Sequence, residues 1–200
     1  MDQQQQFSLG LLGILDFRLI LRLSKYLMAC DILSLGLTNS FFKEQLLNFK
    51  KRVVHLEKMA TVKNNGIQLY LEVDISDIYD KIEVIMAVVE TKDQGWANIQ
   101  NSFSWVTLTL FNEPQDYQSY GIKSYEKIIY SNYCESKFAQ KKLTITQTMA
   151  MDQTKKKQYE TILGLSRKGK FKKIGIVQKC LYQDWECYLK SGQIIILYRD

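Results

Sequence analysis

The stretch IEVIMAVV at residues 82–89 decides the fold, because apolar side chains fill both of its alternating sets of positions. Successive side chains of a strand point to opposite faces of a sheet, so this strand is predicted to be central. Shorter alternating stretches flank it at Val106–Leu110 and Leu143–Thr148. The remaining candidate strands are Gly66–Val73, Glu126–Tyr133, Lys172–Cys180 and Gln193–Tyr198. Seven strands and one short helical stretch near Tyr159–Leu165 predict an antiparallel β-sandwich over residues 66–200.

The first fifty residues have a helical period instead. Leucines recur every four residues on one side of the first predicted helix, at Leu15, Leu19, Leu23 and Leu27. Asp31 stands at the N-cap position of a second, short helix that Gly36 is expected to end. A third helix is predicted from the spacing of Phe42, Leu46, Phe49 and Val53. We therefore expect a flexible tail over residues 1–13, a helical module over 14–53 and a linker over 54–65.

Composition narrows the class of protein. Of 200 residues, 46% are hydrophobic and 12% aromatic, which is enough for a core and excludes a mainly disordered chain. The net charge is +6, and the charged residues are spread along the chain. This charge permits contact with an anionic partner but does not indicate one. The longest apolar run, Leu9–Leu15, is too short to span a membrane. Four cysteines without a CxxC pair are typical of reduced thiols, and we expect a cytoplasmic or nuclear protein.

No pattern in the chain indicates catalysis. The nucleotide-binding, nucleophile-elbow and zinc-protease motifs are all missing from the sequence. Asp74, Asp77 and Asp80 lack the spacing of a calcium loop and are interpreted as solvated turn residues. His55 has no identifiable partner for general-base chemistry or for zinc. The protein is predicted to be no enzyme, with no metal and no cofactor.

A basic cluster and the tryptophans allow two binding hypotheses. Eight positive charges fall between Lys155 and Lys173, which could neutralise phosphates, but a solvated loop is the favoured interpretation. We do not expect nucleic acid as a partner. Tryptophans at the loop ends of a sandwich can stack on sugars while nearby Gln or Asn side chains form hydrogen bonds, although such rings more often close the end of a core. The candidate target- or glycan-binding residues are Gln94, Trp96, Asp184 and Trp185.

The helical segment resembles an F-box. Leu15-Asp16 stands where the family has Leu-Pro, Tyr26-Leu27 ends the first helix, and Asp31-Ile32-Leu33 opens the second. The resemblance implies docking on the Skp-type linker protein of a cullin–RING ubiquitin ligase. The residues expected to make that contact are Leu15, Leu19, Ile20, Leu23, Leu27, Ile32 and Leu33.

The sandwich segment is also similar to a known type of domain. Asp93-Gln94-Gly95-Trp96, followed by Ser104-Trp105, resembles a domain found beside F-boxes or ankyrin repeats. This resemblance implies a jelly-roll, galactose-binding-like β-sandwich and an α+β multidomain chain. The implied function is an F-box substrate adaptor whose sandwich binds a protein or glycoprotein target and which transfers no ubiquitin itself. The alternative hypothesis is a carbohydrate-binding sandwich whose helices are only a structural cap.

Overall fold

The computed structural model describes residues 34, 35, 37, 38, 49–95, 103–118, 124–131, 136–146 and 163–199. The chain divides into two units, Met1–Asn48 with Thr148–Lys156 and Phe49–Gln147 with Lys157–Asp200. Of the first unit, only four residues are described, and all four are helical. Two of them, Leu37 and Thr38, lie beyond Gly36, the predicted end of the second helix, and Gly36 itself lies outside the described residues. The predicted tail and first helix lie outside the described residues.

The second unit is an antiparallel sandwich of two four-stranded sheets. Its strands are β1 (Lys50–Lys63), β2 (Ile67–Asp74), β3 (Ile82–Asp93), β4 (Ser104–Phe111), β5 (Tyr125–Ser131), β6 (Ala139–Thr146), β7 (Lys173–Cys180) and β8 (Glu186–Tyr198). Sheet A has the order β1-β8-β3-β6, and sheet B has the order β2-β7-β4-β5. Chain connections therefore cross repeatedly from one sheet to the other, as in a jelly roll. The predicted antiparallel sandwich is confirmed, and the described residues form eight strands where seven were predicted.

Strand β3 lies between β8 and β6, as its two apolar faces predicted. Ile85, Ala87 and Val89 point between the sheets and are almost completely buried. The core around them includes Ile194 and Ile196 of β8 and, from the opposite sheet, Leu108, Leu110, Ile174 and Ile176. Burying branched aliphatic side chains stabilises the fold by about 1.5–3 kcal/mol each. Strands β2 and β6 also contribute to this core, through residues such as Leu71 and Ile145.

The outer side of sheet B carries a second, smaller cluster. Phe111 and Val177 are fully buried there, and the ring of Tyr117 stands edge-on to Phe111 at 5.2 Å. Tyr117 belongs to the short helix α1 (Pro114–Gln118). The carboxylate of Asp116 accepts hydrogen bonds from the amides of Asn112 and Glu113, which fixes the start of this helix. Sheet B therefore also buries apolar side chains on its outer side, under α1.

The predicted α+β class is wrong. Val53, assigned to a third helix, and most of the predicted linker over 54–65 belong to β1, a strand of 14 residues. Val54 and Leu56 pack inward at a spacing of two, and pairing with β8 along almost the whole strand outweighs the local helical spacing. The described residues contain no three-helix module. Their helical segments are α1, residues 163–167, the 3-10 turn Tyr79–Lys81 and the residues near 35, and none could cross a membrane.

Candidate functional site

Four segments meet at one end of the sandwich, which we call the loop end. They are the β1–β2 turn, the β7–β8 turn, the residues after β3 and the residue before β4. Backbone hydrogen bonds join Leu181 to Phe103 at 2.9 Å and Cys180 to Gly66 at 2.9 Å. Side-chain amides add two more links, because Asn64 accepts from the Asp184 amide at 3.0 Å and Gln94 accepts from the Glu186 amide at 3.1 Å. These contacts fix the relative positions of segments that are far apart in the sequence.

The sequence of each turn explains its shape. Asn64 and Asn65 have φ angles of 50° and 61°, and the Gly66 amide donates to the Lys63 carbonyl at 3.0 Å. Two consecutive positive φ angles make this a type I′ turn, which asparagine tolerates better than most residues. Asp184 also lies in the left-handed region, at φ 68°. A residue with a positive φ angle is uncommon unless it is glycine, and aspartate and asparagine tolerate this conformation better than most others.

The segment after β3 turns at Gly95. Its φ is +80°, and its amide donates to the carboxylate of Asp93 at 2.8 Å. An added Cβ at Gly95 would lie only 2.5 Å from the Cβ of Ser136, so no other residue fits without displacement. Asp93 itself is buried, which lets its carboxylate fix the direction of the chain as it leaves β3.

An aromatic cluster of Phe103, Tyr182 and Trp185 lies at the loop end. Phe103 stands edge-on to Tyr182 with centroids 4.6 Å apart and edge-on to Trp185 with centroids 4.8 Å apart. The Tyr182 side chain is nevertheless 51% exposed, so much of it is available to a ligand. Edge-to-face pairs add about 0.5–1.5 kcal/mol beyond the area that they bury. Phe103 thus positions two larger rings whose polar atoms can also form hydrogen bonds.

Charged groups lie at the ends of β1, β3 and β8 that adjoin the loop end. Glu186 accepts from the Lys63 ammonium and from the Tyr188 hydroxyl. The hydrogen bond from Lys63, followed by the one from Tyr188, lowers the pKa of Glu186, and the bond to Glu186 raises the pKa of Lys63. Lys92 lies 5.0 Å from the centre of the Tyr188 ring. These strand ends therefore hold an ion pair between the Glu186 carboxylate and the Lys63 ammonium.

Nothing in this arrangement favours nucleophilic chemistry. The Cys180 thiol donates to the Trp185 carbonyl at 2.9 Å, and burial raises its pKa, so the thiol stays protonated. Among the described residues, no group of three or more His, Cys, Asp or Glu side chains could hold a metal ion. The loop end presents the aromatic cluster together with nearby groups that can form hydrogen bonds.

The structure brings together three of the four candidate target- or glycan-binding residues. Gln94, Asp184 and Trp185 all lie at the loop end, whereas Trp96 lies outside the described residues. The predicted adaptor contacts, Leu15, Leu19, Ile20, Leu23, Leu27, Ile32 and Leu33, also lie outside them. Phe103 and Asn64 were missed by the sequence analysis. The Asn-Asn-Gly turn was a usable signal for Asn64, but no local pattern distinguishes Phe103.

The other residues considered in the sequence lie elsewhere. His55 is exposed on β1, and Asp77 pairs with Arg52 at 2.6 Å instead of facing a metal. Within the basic cluster, Arg167 pairs with Glu83 and Lys173 pairs with Glu72, while Lys168, Lys170 and Lys172 are exposed. Residues 155–157 lie outside the described ranges. Part of this cluster is thus neutralised by neighbouring carboxylates.

Comparison with known proteins gives only slight likenesses. No protein-family profile and no curated protein matches the chain. A structure of the infectious bursal disease virus Gx strain is 9% identical with a TM-score of 0.39, over 75% of this chain and 32% of that one. The decameric BFDV capsid protein is 8% identical with a TM-score of 0.32, over 76% and 100%. A family two carbohydrate esterase from Cellvibrio japonicus is 10% identical with a TM-score of 0.24, over 75% and 35%. The chain spans about a third of the length of the first of these, and none of them assigns it to a family.

Proposed function

We propose that the sandwich is a non-catalytic recognition module that binds a glycan-bearing target through its loop end. The observation that carries this proposal is the exposed Tyr182 ring, held edge-on by Phe103 beside Trp185 and Asp184. Large aromatic residues are more often buried than exposed. A half-exposed aromatic ring that a second ring holds in place therefore favours a role in ligand binding.

The groups around Tyr182 suit a sugar. One face of a pyranose ring presents C–H groups that stack on an aromatic ring, and its hydroxyls require donors and acceptors at the edge. Gln183 and Asp184 are exposed next to Tyr182 and provide both. The turn that carries them is fixed by Asn64, so little conformational entropy is lost when a ligand binds.

A glycan array of the full chain tests the proposal. We expect binding to a set of glycans that share a terminal sugar, and we expect Tyr182→Ala to lose that binding. Met59→Ala is the matched control, because Met59 is also an exposed apolar residue, at 54%, but lies on β1. An array without hits, or equal binding by Tyr182→Ala, contradicts the proposal.

The adaptor function implied by the F-box resemblance stays a prediction, because its residues lie outside the described ranges. Its test is a pull-down of the full chain with the Skp-type linker protein, comparing wild type with Leu23→Asp and Leu27→Asp. Capture by wild type that both variants lose, while circular dichroism keeps its strand signal, supports the adaptor function. If the wild-type chain is not captured, the adaptor function is ruled out, and the proposal of glycan binding is unaffected.

A further inference from the structure

The outer face of sheet A carries an apolar patch that the core does not use. Register places Val53 beside Ile195, and Ile195 beside Met86, in one row across β1, β8 and β3. Directly paired residues project on the same side of a sheet, and so do residues two apart along a strand. Three neighbouring rows therefore form one apolar face, defined by Val53, Val84, Met86, Val88, Ile195 and Leu197.

This apolar face is only partly buried. The residues that alternate with it, such as Ile85 and Ile194, point into the core, and no member of the face belongs to the core. Val53 is 42% exposed, and the other five members are all partly exposed. An antiparallel sheet with one solvated face normally presents polar residues there. Six apolar side chains in adjoining rows depart from this usual pattern, and such a patch indicates contact with a partner.

The lysines within the three rows of the face are not matched by any acidic residue in those rows. Lys51 is paired with Leu197 at the β1 edge, and Lys142 is paired with Val88 at the β6 edge. Both lysines are exposed, and no carboxylate of the described residues is paired with either. The remaining positions of the three rows hold His55, Gln193 and threonines, so no acidic residue lies among them. The first acidic residues come one row further along, where Glu90 is paired with Lys190 and Glu57 is exposed on β1.

We infer that this face docks an amphipathic helix of a partner protein that carries acidic residues on both flanks of its apolar stripe. Four strands span about 14 Å between the outer two, which matches the diameter of about 10–12 Å of one helix. Leucines spaced three and four apart would contact Met86 and Ile195. Carboxylates on the two flanks would reach Lys51 and Lys142, which stand on opposite edges of the sheet.

Other occupants fit the charges less well. A second copy of the chain would bring the same two lysines and no carboxylate to meet them. Residues 15–27 of this chain have a leucine stripe, but Arg18, Arg22 and Lys25 flank it. A lipid surface is usually met by tryptophan or tyrosine and by more cations than two, and these three rows contain neither.

Synthetic 18-residue peptides labelled with fluorescein, titrated with the full chain, test the inference by anisotropy. One peptide has leucines at helical spacing with glutamates on both flanks, and its matched control has lysines in place of the glutamates. We expect the acidic peptide to bind at least about tenfold more tightly. We also expect Met86→Glu, and the pair Lys51→Glu with Lys142→Glu, to weaken binding by about tenfold or more.

Two control variants and one replacement variant accompany the test. Ile128→Glu changes an exposed apolar residue of sheet B, and Tyr182→Ala changes the loop end, so both should bind the peptide as wild type does. Val53→Glu, on an edge strand, replaces Met86→Glu if circular dichroism shows that the latter is unfolded. Equal affinity for the two peptides, or no binding at about millimolar protein, overturns the inference. So does a Met86-dependent dimer in sedimentation equilibrium, or Met86-dependent binding to phosphatidylserine vesicles.

Discussion

The ring of Phe103 stands edge-on to the ring of Tyr182, with centroids 4.6 Å apart and planes inclined by 75°. Phe103 precedes β4, whereas Tyr182 lies in the turn between β7 and β8, so the pair joins two connections of the sandwich. The Leu181 amide donates to the Phe103 carbonyl at 2.9 Å, which ties the same two segments through the backbone. An exposed ring held in this way has a fixed orientation before any ligand arrives.

Replacing Phe103 with alanine is expected to weaken glycan binding without direct loss of a ligand contact. The substitution removes the edge contacts to Tyr182 and Trp185, worth about 0.5–1.5 kcal/mol each, so both rings become free to reorient. Affinity should fall several-fold, and Trp185 fluorescence should shift in the free protein. Phe103→Tyr, which keeps the ring, is the control. A Phe103→Ala variant with wild-type affinity would show that the ring pair does not position Tyr182.

Gly95→Ala is expected to destabilise the protein and to distort the loop end. Alanine at φ +80° costs about 1–2 kcal/mol, and its Cβ would also lie 2.8 Å from the Cα of Ser136, a backbone atom that cannot rotate away. Urea unfolding measures the loss. The control is Gly164→Ala in a helical segment, where nothing lies within 4 Å of the added Cβ and stability should hold or rise. Equal effects of the two changes would contradict this account of Gly95.

Acid should weaken the protein partly through Asp77. Both carboxylate oxygens of Asp77 accept from the Arg52 guanidinium, at 2.8 and 2.6 Å. This hydrogen bonding lowers the pKa of Asp77 from 3.8 to about 2. A carboxyl group with a lowered pKa contributes stability above its unfolded pKa, and that contribution is lost as the pH falls from about 4 towards 2. Urea midpoints across this range should fall less steeply for Asp77→Asn than for wild type. A parallel fall in both would show that the pair does not contribute.

The Tyr70 hydroxyl lies at the bulge in β1 and should contribute to stability. It accepts from the Lys58 amide at 3.1 Å, and it lies 2.7 Å from the Lys58 carbonyl and 3.2 Å from the Lys190 carbonyl. Tyr70→Phe leaves these partly buried groups without that partner, at a cost of about 1–3 kcal/mol. The urea midpoint should fall, and the Lys58 amide should exchange faster with solvent. Tyr79→Phe, at an exposed tyrosine, should change the midpoint little.

The sequence predicted those features that local pattern determines. The two apolar faces of Ile82–Val89 gave the central position of β3, because alternation in a strand follows directly from its geometry. Strand β1 was missed, because Val53 also fitted a helical spacing with Phe49. Only the long-range pairing of β1 with β8 resolves that ambiguity. The spacing of apolar residues along the sequence does not show which strands pair.

The candidate site was predicted in part for the same reason. Asp184 and Trp185 were identified because a tryptophan beside polar residues marks a loop between strands. Phe103 was missed because its importance depends on Tyr182 and Trp185, which are far away in sequence and are brought to it by the β4–β7 pairing. The apolar face of sheet A likewise became visible only when register placed residues of β1, β3 and β8 side by side.

The most direct test of glycan recognition is calorimetric titration of the full chain with the best glycan of the array, for wild type, Tyr182→Ala and Tyr182→Phe. Tyr182→Ala should lose at least about tenfold in affinity, or about 1.4 kcal/mol. Its urea midpoint should fall only slightly, through the lost edge contact with Phe103, because Tyr182 is half exposed. Tyr182→Phe should keep most of the affinity, since the stacking surface remains. Wild-type affinity in Tyr182→Ala would contradict the proposal that the loop end is the binding site.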